Sequence, residues 1–215
     1  LMDTGRPLEC VELDSESVGF LHNLYPGLNV VEADFLKMDL DTVFPGRDMA
    51  LIGNFPYNIS SQIFFRVLEH RDRIPVAAGM LQKEVAERIC AAPGTADFGA
   101  FSLLCQYYAH CEYLFEVPRE CFLPAPKVTS AVVKLDVLDK PPVEVQDEAM
   151  LFRVIRAAFA QRRKTLSNAL SAGFGELTKE QINGCISACG LAPQVRGEKL
   201  GLEEFARLAD AIGGC

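Results

Sequence analysis

An apolar run, Met49 to Ile52, stops at Gly53-Asn54-Phe55-Pro56-Tyr57, and a helical pattern begins at Ile59. The run reads as a buried strand that hands over to a helix through a stiff turn. Pro56 fixes its own φ and keeps Phe55 out of the helical region. Asn54 and the Phe55 carbonyl are therefore held on extended backbone at the carboxyl end of a strand, where open α/β sheets bind ligands. Asn54 offers a side-chain carbonyl, Phe55 a main-chain carbonyl and Tyr57 a flat face. Two acceptors beside an aromatic plane suit an exocyclic amine on a stacked base. A plain strand-to-helix turn also uses Asn, Pro and Gly, but the whole string Ile52 to Ser61 favours the ligand-binding reading.

The rest of the chain supplies the sheet that this turn needs. Leu8 to Leu13, Asn29 to Glu32, Pro75 to Leu81, Tyr113 to Val117 and Ser130 to Val137 carry strand patterns. Helical patterns cover Ser15 to Leu24, with Asp14 or Ser15 as N-cap, then Ile59 to Glu69, Glu84 to Ala92 and Phe98 to His110. Strands alternating with helices predict an α/β fold with a mostly parallel sheet. The last two strands have no helix between them, so one of them is expected to run antiparallel. Lys140-Pro141-Pro142 and its charged surroundings read as a linker. After it come only helices: Glu148 to Ala160, Arg163 to Ala172, Lys179 to Ala188 with Thr178-x-x-Gln181 as a capping box, and Leu202 to Ile212. The expected organisation is an α/β unit over residues 1–138 and a small all-helical unit over 145–215.

Composition narrows the function. The eight cysteines are scattered without a CxxC pair and the three histidines fit no metal spacing, so reduced core thiols and no metal are expected. No apolar run reaches membrane-spanning length, which points to a cytoplasmic chain with no membrane partner. A net charge of −8 argues against a generally nucleic-acid-binding surface. Charge is local, however. Phe152 to Leu170 holds Arg153, Arg156, Arg162, Arg163 and Lys164 and no acid. These bases suit either a phosphate-binding face or a solvated helix surface.

Glu12, Asp34 and Asn54 end three successive strands, 22 and then 20 residues apart. An acid at such a strand end can grip a ribose diol, and the next can accept from an adenine amino group. Phe35 can offer its backbone N–H to the same ring. Taken singly, each acid reads as a helix cap or a solvated loop residue; taken together at strand ends, they favour the ligand-binding reading.

Gly53-Asn54-Phe55-Pro56-Tyr57-Asn58-Ile59-Ser60 resembles the signature of the rRNA adenine N6,N6-dimethyltransferases, and more closely the KsgA-type enzymes of the small ribosomal subunit. Met80 to Arg88, Phe98-Gly99 through Ser102, Gln106-Tyr107-Tyr108, Phe122 to Val128 with Ser130 to Val133, and Phe159 with Arg162 to Leu166 are similar to further segments of that family, in the same order. The resemblance implies a Rossmann-like methyltransferase sheet with a helical C-terminal unit. It also implies transfer from S-adenosylmethionine to adenosine N6 amines in a 16S rRNA loop, giving N6,N6-dimethyladenosine during small-subunit maturation. Glu12 and Leu13, Asp34 and Phe35 would hold the cofactor, with Asn54 beside it. Asn54, Phe55, Pro56 and Tyr57 would form the catalytic turn, and Tyr57 with Phe122 would stack the base. Positioning an already activated methyl group supplies most of the catalysis in such a site, so neither a metal nor a strong general base is expected.

The sequence departs from the family in two places. No glycine-rich loop precedes Glu12, so the first strand, which is central in that fold, is expected to be absent and cofactor binding weakened. Ala96 and Ala100 stand where the family carries bases. Two competing readings stay open: an assembly factor that binds RNA without methylating it, and a 23S rRNA adenine methylase of the erythromycin-resistance type. A monomer docking on 16S rRNA in the small subunit is the expected partner arrangement.

Overall fold

The computed structural model describes residues 1–215. Strand β1 (Glu9–Glu12) lies parallel to β2 (Asn29–Glu32), with helix α1 (Ser15–Leu24) between them in sequence. A second ladder holds β3 (Ala50–Asn54), β4 (Val76–Gln82), β5 (Ala109–Val117) and β6 (Ser130–Val137) in the order β3-β4-β6-β5. β3 and β4 are parallel, whereas β6 is antiparallel to both neighbours. The antiparallel strand is therefore the last one, as a connection without a helix requires. The two ladders are not hydrogen-bonded to each other.

Local chemistry sets most helix starts. Asp14 accepts from the Ser17 N–H to open α1, and Asp39 accepts from the N–H groups of Asp41 and Thr42 to open α2 (Leu40–Val43). The sequence patterns mark no helix at this single turn. Its cap is visible in the sequence, but four residues carry too little periodicity to announce a helix. α3 (Ser60–Glu69) buries Ile63, Phe64, Val67 and Leu68 on one face, and α4 (Lys83–Cys90) follows β4 without a loop. α5 (Ala100–Tyr108) ends two residues before the expected His110. From Ala109 the chain is strand, because Ala109 pairs with Val137 and the Tyr108 carbonyl accepts from the Leu138 N–H at 2.8 Å. An edge strand seeking partners overrides the local helical pattern there.

After residue 145 come α6 (Glu148–Ala160), α7 (Leu166–Gly173), α8 (Lys179–Ala188) and α9 (Leu202–Gly213). The expected capping box of Thr178 and Gln181 opens α8. α7 starts three residues later than Arg163, at the turn where Thr165 accepts from the Asn168 N–H. Leu151, Val154, Ile155 and Ala158 form the buried stripe of α6, each large aliphatic contributing about 1.5–3 kcal/mol. This helical core is continuous with Ala91, Phe98, Leu103 and Tyr107. A separate core, centred on Phe64, Leu81 and Val133, fills the space between the sheet and α3. It fixes the ends of β3 and β4, and with them the turn that follows β3.

Candidate active site

The Asn54–Tyr57 turn is suspended from a buried peg. The Phe55 ring points into the sheet core, 6% exposed, edge-on to Phe64 at 5.4 Å between centroids. It occupies the space above two glycines. A Cβ at Gly53 would lie 2.7 Å from the ring, and one at Gly79 would lie 2.1 Å from it. The Phe55 N–H donates to the Met80 carbonyl at 3.0 Å, continuing the β3–β4 ladder by one step. The Ser60 hydroxyl donates to the Tyr57 carbonyl at 3.2 Å, and the Ile59 N–H to that of Pro56 at 3.1 Å. Both ends of the turn are thereby fixed. The Asn54 side chain and the Phe55 carbonyl have no partner within the protein. Two unpaired acceptors on rigid backbone can receive both protons of an amine.

Asn54, Phe55, Pro56 and Tyr57 line one cleft of about 390 Å³ together with Phe122, Pro124 and Pro126. The structure thus brings Phe122, distant in sequence, to the same cleft as Tyr57. The Tyr57 hydroxyl lies 2.6 Å from Ser130 Oγ.

A second cleft, about 550 Å³, opens at the end of β1 and is lined by Glu12, Asp14, Glu16, Ser17, Phe20 and Leu21. Glu12 Oε1 accepts from the N–H groups of Leu13 at 2.7 Å and Asp14 at 2.9 Å, leaving Oε2 without a partner. Leu13 itself is exposed. Asp34 and Phe35 lie outside the lining of this cleft, on the loop after β2. The Asp34 carboxyl accepts from the Leu36 N–H and pairs with Lys37 at 3.2 Å. These contacts, the Leu36 N–H foremost, lower its pKa, so it is ionised at neutral pH. The Phe35 N–H has no acceptor within the protein. The donor set therefore fits a nucleoside: a carboxylate oxygen for a diol, an ionised acid, and an unpaired N–H for a ring nitrogen.

One residue outside the sequence-level site holds this loop. Arg66 on α3 donates from Nε to the Phe35 carbonyl at 3.2 Å and from its guanidinium to the Met38 carbonyl. Arg66 follows Ile63 by three residues, at the border of the apolar face, and no sequence signal marked it. Arg66→Ala is expected to lower stability by about 2 kcal/mol, because two charge-assisted bonds are lost and a half-buried loop is released. Urea unfolding measures it, and an unchanged midpoint would show that the loop stands without Arg66.

The basic segment is divided by the fold. Arg153 pairs with Glu176 at 2.5 Å and lies 4.2 Å over the Phe174 ring. Arg162 donates to the carbonyls of Ala96 at 2.7 Å and Phe98 at 3.1 Å, tying the turn between α6 and α7 to the loop before α5. Arg156, Arg163 and Lys164 are exposed and have no ion pair. No three His, Cys, Asp or Glu side chains are arranged to hold a metal ion, and no helix is long and apolar enough to cross a membrane.

Residues 1–212 match the family model for ribosomal RNA adenine dimethylase. The chain is 43% identical over 210 residues to the ribosomal RNA small subunit methyltransferase A of Parabacteroides distasonis, covering 97% of this chain and 76% of that protein. The enzyme of the same name from Alkaliphilus oremlandii is 40% identical over 209 residues, 94% of this chain and 73% of that one. Among solved structures, a dimethyladenosine transferase from Plasmodium falciparum superposes with a TM-score of 0.72 over 92% of this chain and 78% of its own, at 24% identity. The 23S rRNA methyltransferase ErmE does so at 0.68 over 94% and 80%, at 22% identity. These two likenesses speak for the shared Rossmann-like fold.

Proposed function

This chain belongs to the ribosomal RNA adenine dimethylase family, and on that premise we propose that it dimethylates adenosine N6 amines of 16S rRNA in the small ribosomal subunit. The observation that carries the proposal is the pair of unpaired acceptors, Asn54 and the Phe55 carbonyl, on a turn locked from below by the Phe55 ring.

The chemistry follows from what these groups hold. Asn54 Oδ1 and the Phe55 carbonyl accept the two N6 protons. That draws the amine out of conjugation with the ring and aims its lone pair. Tyr57 stacks on one face of the base and Phe122 covers the other, a slot that suits a nucleotide turned out of an RNA loop. Glu12 Oε2 would hold the ribose diol of the methyl donor, and Asp34 with the Phe35 N–H would hold its adenine. Bound S-adenosylmethionine supplies an activated methyl group, so orientation accounts for most of the rate. The cleft beside Asn54 opens to solvent, which leaves room for the singly methylated amine to bind again.

Arg156, Arg163 and Lys164 take the RNA backbone, being exposed and unpaired, whereas Arg153 and Arg162 shape the surface that carries them. Residues 1–138 act as the methyltransferase unit and 145–215 as the helical unit. The protein works as a cytoplasmic monomer on the small subunit.

The test is transfer of tritium from S-adenosylmethionine to small subunits prepared without this modification and, in parallel, to unmodified large subunits. Label appearing as dimethyladenosine in 16S rRNA is expected. Label confined to 23S rRNA would reassign the substrate. Subunit binding that is indifferent to S-adenosylmethionine, with no label, would make the protein an assembly factor.

A further inference from the structure

Ser130 is the first residue of β6 and is fully buried. The sheet register sets it opposite Gln82 of β4 on one side and Val117 of β5 on the other. The residue before it is clamped as well, because the Thr129 carbonyl accepts from the Lys83 N–H at 3.0 Å. Its hydroxyl is thus a fixed point in the sheet, and it meets the Tyr57 hydroxyl at 2.6 Å.

Tyr57 is consequently held twice. Its backbone belongs to the turn pinned by Phe55, and its para oxygen is pinned 73 residues away by Ser130. Tyr57 also lines the cleft beside Asn54. We infer that Ser130 is a positioning residue for the substrate adenine: it fixes the plane of Tyr57 on which the base stacks. This rests on the reading of Tyr57 as the stacking platform. A serine that merely satisfies its own buried hydroxyl would affect stability and leave turnover alone.

The test is a double-mutant cycle on kcat/KM for methyl transfer to unmodified small subunits, with melting temperatures measured on every variant. Ser130→Ala and Tyr57→Phe each remove one side of the same bond. Each is expected to lower kcat/KM roughly tenfold, and the double variant is expected to fall no further than either single one. Ser130→Thr keeps a hydroxyl and is expected to recover most of the loss. Tyr57→Ala separates the inference from the reading beneath it. If Tyr57→Ala costs about a hundredfold while Ser130→Ala costs nothing, or while the two single losses multiply, Ser130 does not position the ring and the inference falls alone. If Tyr57→Ala leaves kcat/KM unchanged, the stacking role falls and the inference falls with it. A wild-type chain that transfers no methyl group overturns both.

Discussion

Replacing Asn54 by alanine is expected to lower kcat for methyl transfer by about 10²–10³-fold. The side chain is exposed and bonded to nothing in the protein, so its removal leaves no buried group unsatisfied and the unfolding midpoint should stay put. The loss should come from orientation. With one acceptor gone, the Phe55 carbonyl holds a single N6 proton, and the amine can rotate back into conjugation with the ring. Methyl transfer at saturating donor and subunit, beside a urea unfolding curve, separates the two effects. Turnover within about threefold of wild type would mean that Asn54 does not touch the amine, and the site would have to be placed elsewhere.

The second large effect is expected at a residue that itself touches no substrate. Gly79→Ala places a Cβ 2.1 Å from Phe55 Cε2 and 2.8 Å from its Cζ. The ring cannot retreat, since Gly53 lies close on the β3 side and Phe64 packs against it. Overfilling a core of this kind costs about 1–3 kcal/mol. Here the displaced residue also carries one of the two acceptors, so catalysis should fall with stability. Phe55→Leu shortens the peg and should restore part of both in the Gly79→Ala background, because neighbours that share one space do not add. Equal unfolding midpoints and equal turnover for wild type and Gly79→Ala would show that the Phe55 ring is not confined, and that the turn is held by its backbone bonds alone.

Much of the site was legible before any coordinates. Pro56 dictates an extended Phe55, and a strand pattern before it with a helix pattern after it puts the turn at a sheet edge. Asn54 and Tyr57 then follow from residue type. Phe122 follows only from the family resemblance, and its place in one cleft with Tyr57 came from the fold. The basic segment was legible only as a cluster of charge. Its division into committed arginines, Arg153 and Arg162, and free bases depended on Glu176, Phe174 and the Ala96 and Phe98 carbonyls, none of them near in sequence.

The boundary between the two kinds of knowledge is physical. Sequence by itself determined what is local: the strand-to-helix turns, the caps at Asp14 and Thr178, the apolar stripe of α3, and the order of the main elements. Those features depend on residues within about one or two turns of each other, where backbone sterics and side-chain hydrogen bonds act. Tertiary structure alone decided the long-range fits: the Phe55 ring over Gly79, Arg66 on the Phe35 carbonyl, Ser130 on the Tyr57 hydroxyl, and the switch from helix to strand at Ala109. Each of these joins segments whose approach is set by sheet register and core packing, and close packing makes such contacts all-or-none. A glycine, an arginine or a serine is too common a residue to signal such a contact until its partner is in place.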